Sequence, residues 1–127
     1  PAAEPPATAA EAAEAVDLDP QTLEQLAADT DPAMLARVIG LFVDESRKRL
    51  GAIREAAAAE DFQRLQREAH TLKSGAGTFG ALRLQDHARR LDAACQNTAY
   101  DQALELAQSL PAVAERALKA LARQYLH

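Results

Sequence analysis

Apolar residues along the chain keep a helical rhythm. Phe62, Leu65, Ala69, Leu72, Ala76 and Phe79 are separated by alternating steps of three and four, the spacing that places side chains on one face of an α-helix. The same rhythm appears upstream in Leu35, Val38, Ile39, Phe42, Leu50 and Ile53. It appears downstream in Leu84, Ala88 and Leu91, and again in Ala103, Ala107, Leu110, Ala114, Ala117, Leu121 and Tyr125. Asp44, Glu45, Arg47 and Lys48 fall on the opposite side of their segment, as expected of a solvated face.

The breaks between these stripes carry start and stop signals. Asp19-Pro20 and Asp31-Pro32 each offer an aspartate N-cap with proline at the first helical position, where the missing N–H costs nothing. The first should open a short helix with Leu23 and Leu26 on its apolar side, covering one end of the fold. The second should open a helix reaching about Ala58, weakened but not broken by Gly51. Glu60-Asp61 begins the next helix, which should end near Phe79 to Gly80, and another should run from about Ala81 to Gln96. Asn97-Thr98 reads as a turn, with Thr98 and Asp101 spaced as a capping box. Pro111 lies inside the last stripe, so the pattern predicts a kink or two consecutive segments there. Four long amphipathic segments joined by short turns predict an all-α fold, an antiparallel up-and-down four-helix bundle with a short additional N-terminal helix.

Composition narrows the class. The chain has 127 residues, 4% aromatic, no Trp and five Gly, an alanine-rich balance that favours helix over sheet. Residues 1–16 contain three prolines among alanine and glutamate and read as a flexible linker, with a transient helical turn over Ala9 to Ala15; residues 17–127 form one domain. That linker suggests a module excised from a longer, multidomain protein. No stretch has signal-peptide or membrane-spanning character. The net charge of −5 argues against nucleic acid, since no basic surplus is present to neutralise phosphates. The one cysteine, Cys95, suits a reducing compartment and reads as a packing residue at the end of the Leu84 stripe.

The chemistry concentrates on one strip. His70, Lys73, Ser74 and Gly77 share a helix face, and at 100° per residue His70 points roughly 130° from the centre of the buried seam. The imidazole should face solvent among small residues, with Lys73 on the flank. Gly75 and Gly77 each cost about 1 kcal/mol relative to alanine in a helix, and a flat accessible surface beside His70 is one reason to keep them. Gln63, Gln66 and Arg67 lie on or near the same side, where docking and plain solvation are equally compatible with the pattern. His87, on a flank, and His127 read as solvated. Gly75 to Gly80 matches G-x-G-x-x-G in form, but the residues before it are helical and not a strand, which removes the dinucleotide reading. No Glu-x-x-His pair faces inward, and no zinc spacing or nucleophile elbow occurs, so no metal site is expected.

Ala69-His70-Thr71-Leu72-Lys73, the small residues after it, Phe79-Gly80-Ala81 and the following helix with Leu84, Ala88 and Leu91 resemble the histidine-containing phosphotransfer (HPt) domain of bacterial phosphorelays. The resemblance covers residues 17 to 127. It departs from many members at Ser74, where they carry glycine. It implies that His70 Nε2 accepts a phosphoryl group from a receiver-domain aspartate and passes it to another receiver. It also implies that Lys73 offsets phosphate charge, and that Gln63, Gln66, Arg67, Ser74 and Gly77 face the partner. No cofactor is implied in this domain; Mg²⁺ is expected in the partner receiver. The expected setting is a monomeric, cytoplasmic module, such as the C-terminal part of a hybrid sensor kinase, without ATP-dependent kinase activity of its own. The alternatives are a helical interaction module that works without phosphorylation and the histidine-bearing domain of a chemotaxis-type kinase. The sequence preceding Pro1 would discriminate between these settings.

Overall fold

The computed structural model describes residues 17–126, so the linker expected over residues 1–16 and the reading of His127 lie outside the described residues. Within them five helices follow one another: α1 (Pro20–Asp29), α2 (Pro32–Ala58), α3 (Phe62–Thr78), α4 (Leu82–Gln96) and α5 (Tyr100–Tyr125). The long helices pack in a ring, α3 on α4, α4 on α5, α5 on α2 and α2 on α3. Short turns between successive helices make this the expected up-and-down bundle, because each chain reversal returns an apolar stripe to the same axis.

The start signals act as the sequence implies. The Asp19 carboxylate accepts from Gln21 N at 3.1 Å and Asp31 from Met34 N at 2.9 Å, each with proline in the first turn. Asp61 caps α3 through Arg64 N at 3.1 Å. Glu60 does not open α3 but lies in the turn after α2, where at φ 51° it reverses the chain ahead of the Asp61 cap. Between α3 and α4 that left-handed position falls to Gly80, φ 66°, where a Cβ would lie 3.0 Å from Thr22 and 3.2 Å from Asp19. The Gly80 carbonyl accepts from Asp19 N at 2.7 Å. The start of α1 is thereby fastened to the α3–α4 turn, and Leu23 is buried there as expected.

One expectation needs correction and another is narrowed. Thr98 and Asp101 do not form a capping box. Thr98 sits at φ 55° in the reversal that ends α4, its hydroxyl is turned to Asn97 O at 2.7 Å, and α5 starts after Ala99 without a side-chain cap. The backbone demand of closing α4, met by Thr98 N on Cys95 O and Ala99 N on Ala94 O, takes the residue before it can cap α5. At Pro111 the chain does not divide into two segments, since α5 is one helix through the proline. Pro111 withdraws its own N–H from the helix ladder, and the buried seam continues on both sides of it through Ala107, Leu110, Ala114 and Ala117.

The core is the set of stripes read from the sequence, with additions. Leu65, Ala69, Leu72 and Ala76 of α3 are buried against Leu84, Ala88 and Leu91 of α4, while Phe62 and Phe79 pack at the ends. Each buried leucine contributes about 1.5–3 kcal/mol relative to leaving it exposed. Val43, Ser46 and Ala56 extend the α2 face. Cys95 is buried, and burial first, then the nearby Asp92 charge, push its thiol above the ordinary value; a protonated, enclosed thiol is a packing group. Arg49 pairs with Glu68 at 2.9 Å and ties α2 to α3 on the flank of the histidine helix.

Candidate functional site

The third helix presents His70 as its periodicity requires: the side chain is 58% exposed while its neighbour Ala69 is fully buried. Exposure is only half of the arrangement. His70 Nδ1 lies 3.0 Å from Asp92 Oδ2, a carboxylate on α4 whose side chain is only 4% exposed. Lys73 Nζ, one turn along α3, reaches the same oxygen at 3.3 Å, and Gln96 Nε2 donates to Asp92 Oδ1 at 3.0 Å. One buried carboxylate therefore collects an imidazole, an ammonium and an amide.

Electrostatics follows from that geometry. Burial alone would raise the Asp92 carboxyl, but hydrogen bonds from His70, Gln96 and Lys73, with the Lys73 charge, outweigh it and hold the group below the ordinary carboxylate value. An ionised carboxylate can only accept. In the neutral ring the facing Nδ1 must then carry the proton, which leaves Nε2, on the opposite side of the ring, with a free lone pair. Asp92 thus sets the tautomer as well as the ring direction.

Helical periodicity by itself does not single out Asp92 as a site residue, although a signal exists. It interrupts the apolar stripe Leu84, Ala88, Leu91, Cys95 of α4, and an acid at a core position calls for partners. Lys73 lies on the flank, as its spacing implies, but its ammonium is engaged by Asp92 and is not free in solvent.

The remaining candidates divide. Gln63, Gln66 and Arg67 do come together with His70, joined by Thr71 and Gln96, around an open hollow of ≈ 620 Å³. Phe62 and Tyr100 stack at 3.9 Å between the starts of α3 and α5. Ser74 is exposed and donates to the His70 carbonyl at 3.2 Å, which keeps its side chain low on the helix surface. Gly77 lies outside the hollow. A Cβ there would meet the Gln85 amide at 2.6 Å, and one at Gly75 would meet the Phe42 ring at 2.9 Å. Both glycines therefore let neighbouring side chains approach the backbone of α3, a packing reason that the flat-surface reading did not contain.

His87 is not simply solvated: Nε2 lies 2.8 Å from Ser109 Oγ and 3.1 Å from Leu106 O, joining α4 to α5. Among the described residues no group of three or more His, Cys, Asp or Glu is placed to hold a metal ion, and no helix is long and apolar enough to cross a membrane.

Comparison with known proteins gives a consistent result. The family model described as Hpt domain matches residues 37–124. The phosphorelay protein LuxU of Vibrio harveyi is 29% identical over 94 residues, covering 73% of this chain and 82% of that protein. The crystal structure of histidine-containing phosphotransfer protein B (HptB) from Pseudomonas aeruginosa PAO1 superposes with a TM-score of 0.81 at 22% identity, covering 86% of this chain and 94% of that one. At that identity the second likeness is one of fold.

Proposed function

Since the chain belongs to the Hpt domain family, whose activity is histidine phosphotransfer in a phosphorelay, we propose that His70 is the residue that carries the phosphoryl group. The observation that supports this is the buried Asp92 carboxylate on Nδ1 of an exposed imidazole, which leaves Nε2 as the nucleophile.

In the proposed reaction Nε2 attacks the phosphorus of a receiver's aspartyl phosphate. The Nε2–P bond forms, the bond from phosphorus to the aspartyl oxygen breaks, and the aspartate leaves as a carboxylate. The ring keeps its Nδ1 proton, so the phosphorylated ring is cationic and Asp92 faces that charge at hydrogen-bond distance. Return transfer to another receiver reverses these bond changes. Phosphoryl transfer passes through a loose transition state in which positioning and charge carry most of the catalysis; holding one tautomer in one direction is this chain's share. Mg²⁺ and the other charged groups around the phosphoryl are assigned to the receiver.

Lys73 has two tasks in this reading: it keeps Asp92 ionised, and it places a cation beside the phosphorylated ring. Gln63, Gln66, Arg67 and the low profile of Ser74 provide the docking surface, with Gly77 at its margin. The wider setting proposed is a monomeric cytoplasmic module, and the proline- and glutamate-containing composition of residues 1–16 supports a tethered one, of the kind a hybrid sensor kinase carries.

The test is incubation with a receiver charged by acetyl phosphate. The expected product is labelled on this chain, acid-labile and base-stable, and absent in His70→Gln. A base-labile product, or undiminished labelling of the variant, would overturn the assignment.

A further inference from the structure

A second polar constellation lies on the outer groove between α4 and α5. Arg83 and Arg90 of α4 and Arg116 of α5 line a hollow of ≈ 460 Å³, whose apolar wall is formed by Leu82 and Val113. Leu82 is 45% exposed, although it opens a helix that has a buried stripe available to it. Three guanidiniums gathered in one hollow are unexpected on a chain of net charge −5.

Their placement is built from beneath. Asp17 is 2% exposed, and its carboxylate holds Arg116 at 3.1 Å and lies 3.9 Å from Arg83. At 3.9 Å Oδ1 attracts Arg83 without accepting a hydrogen bond, and that oxygen has no other partner among the described residues. Each guanidinium has five donors, so one buried carboxylate orients two arginines and leaves most of their N–H groups directed elsewhere. Asp86 also lines the hollow but is held by Arg89 at 2.7 Å. Arg90 has no hydrogen-bond or ion-pair partner among the described residues.

We propose that this groove is a binding site for an organic diphosphate, with its phosphoryl groups on Arg83, Arg90 and Arg116 and its organic body against Leu82 and Val113. The argument rests on shape and charge together. Arg83 and Arg90 stand two helical turns apart, about 10 Å along the axis, and Arg116 lines the same hollow from α5, so the three long side chains enter it from separate backbone positions and can share the oxygens of two linked phosphoryl groups. Guanidinium forks match phosphate oxygens bidentately. The volume lies in the range of small-molecule sites, about 300–1,000 Å³.

The experiment is titration of the full chain with magnesium-free ADP, followed by amide and guanidinium NMR shifts. Inorganic pyrophosphate and hexaglutamate serve as parallel probes. The expected result is saturable ADP binding with shifts confined to Leu82, Arg83, Arg90, Val113 and Arg116, and weaker pyrophosphate binding. Removing Arg116 would leave Asp17 buried with one partner fewer, so the decisive variant is Arg90→Gln, which breaks no ion pair. It should weaken ADP roughly tenfold, the loss of one charge-assisted hydrogen bond, with an unchanged melting temperature and an unchanged rate of phosphoryl transfer to His70. Leu82→Ala should weaken ADP but not pyrophosphate. The proposal is overturned if ADP produces no shifts there at millimolar concentration, if Arg90→Gln binds ADP like the parent, or if hexaglutamate binds as tightly as ADP. That last result would make the groove a surface for acidic peptides.

Discussion

Replacing Asp92 by asparagine keeps the shape of the side chain and removes its charge, and the surrounding hydrogen bonds determine the outcome. Oδ2 serves both His70 at 3.0 Å and Lys73 at 3.3 Å, while Oδ1 serves Gln96 at 3.0 Å. An asparagine must turn either its oxygen or its NH₂ toward that pair. The NH₂ would face the Lys73 ammonium donor to donor, so the oxygen should be retained there, and the Gln96 amide can flip to accept from the new NH₂. The Nδ1–H tautomer then persists but rests on a neutral acceptor. Charge-assisted hydrogen bonds contribute about 1.5–3 kcal/mol and neutral ones about 0.5–1.5, so the preference weakens by roughly 1.4 kcal/mol, or about tenfold in reactive tautomer or transfer rate. The assays are rapid-quench transfer from a phosphorylated receiver and long-range ¹H–¹⁵N correlation of the imidazole. A variant that transfers within about twofold of the parent, with an unchanged ring spectrum, would refute the claim that the carboxylate governs Nε2. Stability gives a second readout with a definite sign. The folded Asp92 carboxyl lies below its ordinary value of 3.8, so its contribution is present above that value and is lost as pH falls through the folded one. Asp92→Asn should therefore be less stable at neutral pH and lose less on acidification below 3.8.

Further expectations separate the roles of neighbouring residues. His70→Gln should abolish labelling and shift stability by less than about 0.5 kcal/mol, because the side chain is largely exposed and glutamine can still donate to Asp92; a large loss in melting temperature would mean that the ring is structural. Lys73→Met should slow transfer by a modest factor, on the order of 1 kcal/mol, whereas Lys73→Arg should recover part of it; wild-type transfer in the Met variant would reduce Lys73 to a covering stem. Gly75→Ala and Gly77→Ala should differ although they share one stretch of α3. The Phe42 ring edge near Gly75 is pinned against Phe79 at 4.7 Å, so alanine there should cost about 1 kcal/mol after its helix-propensity gain. The Gln85 amide near Gly77 can swing aside, so alanine there should be neutral or stabilising; thermal melts decide both.

Much of this molecule is local and is therefore legible in the chain. The three-and-four spacing of Leu65, Ala69, Leu72 and Ala76 reports which side of one helix is apolar, and it thereby assigns His70 to the other side without knowledge of the neighbours. Asp19-Pro20 and Asp31-Pro32 cap within three residues, so their geometry is contained in the sequence around them. The Thr98 capping box fails at the same scale because two local demands, closing α4 and opening α5, compete for one residue, and backbone closure takes it. What the tertiary structure decided is every property that depends on how two helices are rotated against each other. Asp92 alone is an acid in an apolar stripe; with α3 packed beside it, it becomes the carboxylate that holds His70, Lys73 and Gln96. Gly75 and Gly77 alone are weak points in a helix; with Phe42 and Gln85 against them they are clearances. His87 acquires Leu106 and Ser109, and Asp17 acquires Arg83 and Arg116, in the same way. Periodicity determines a face within one helix, whereas the partner across a groove is fixed by the joint packing of two side-chain surfaces, which no single stretch of sequence contains.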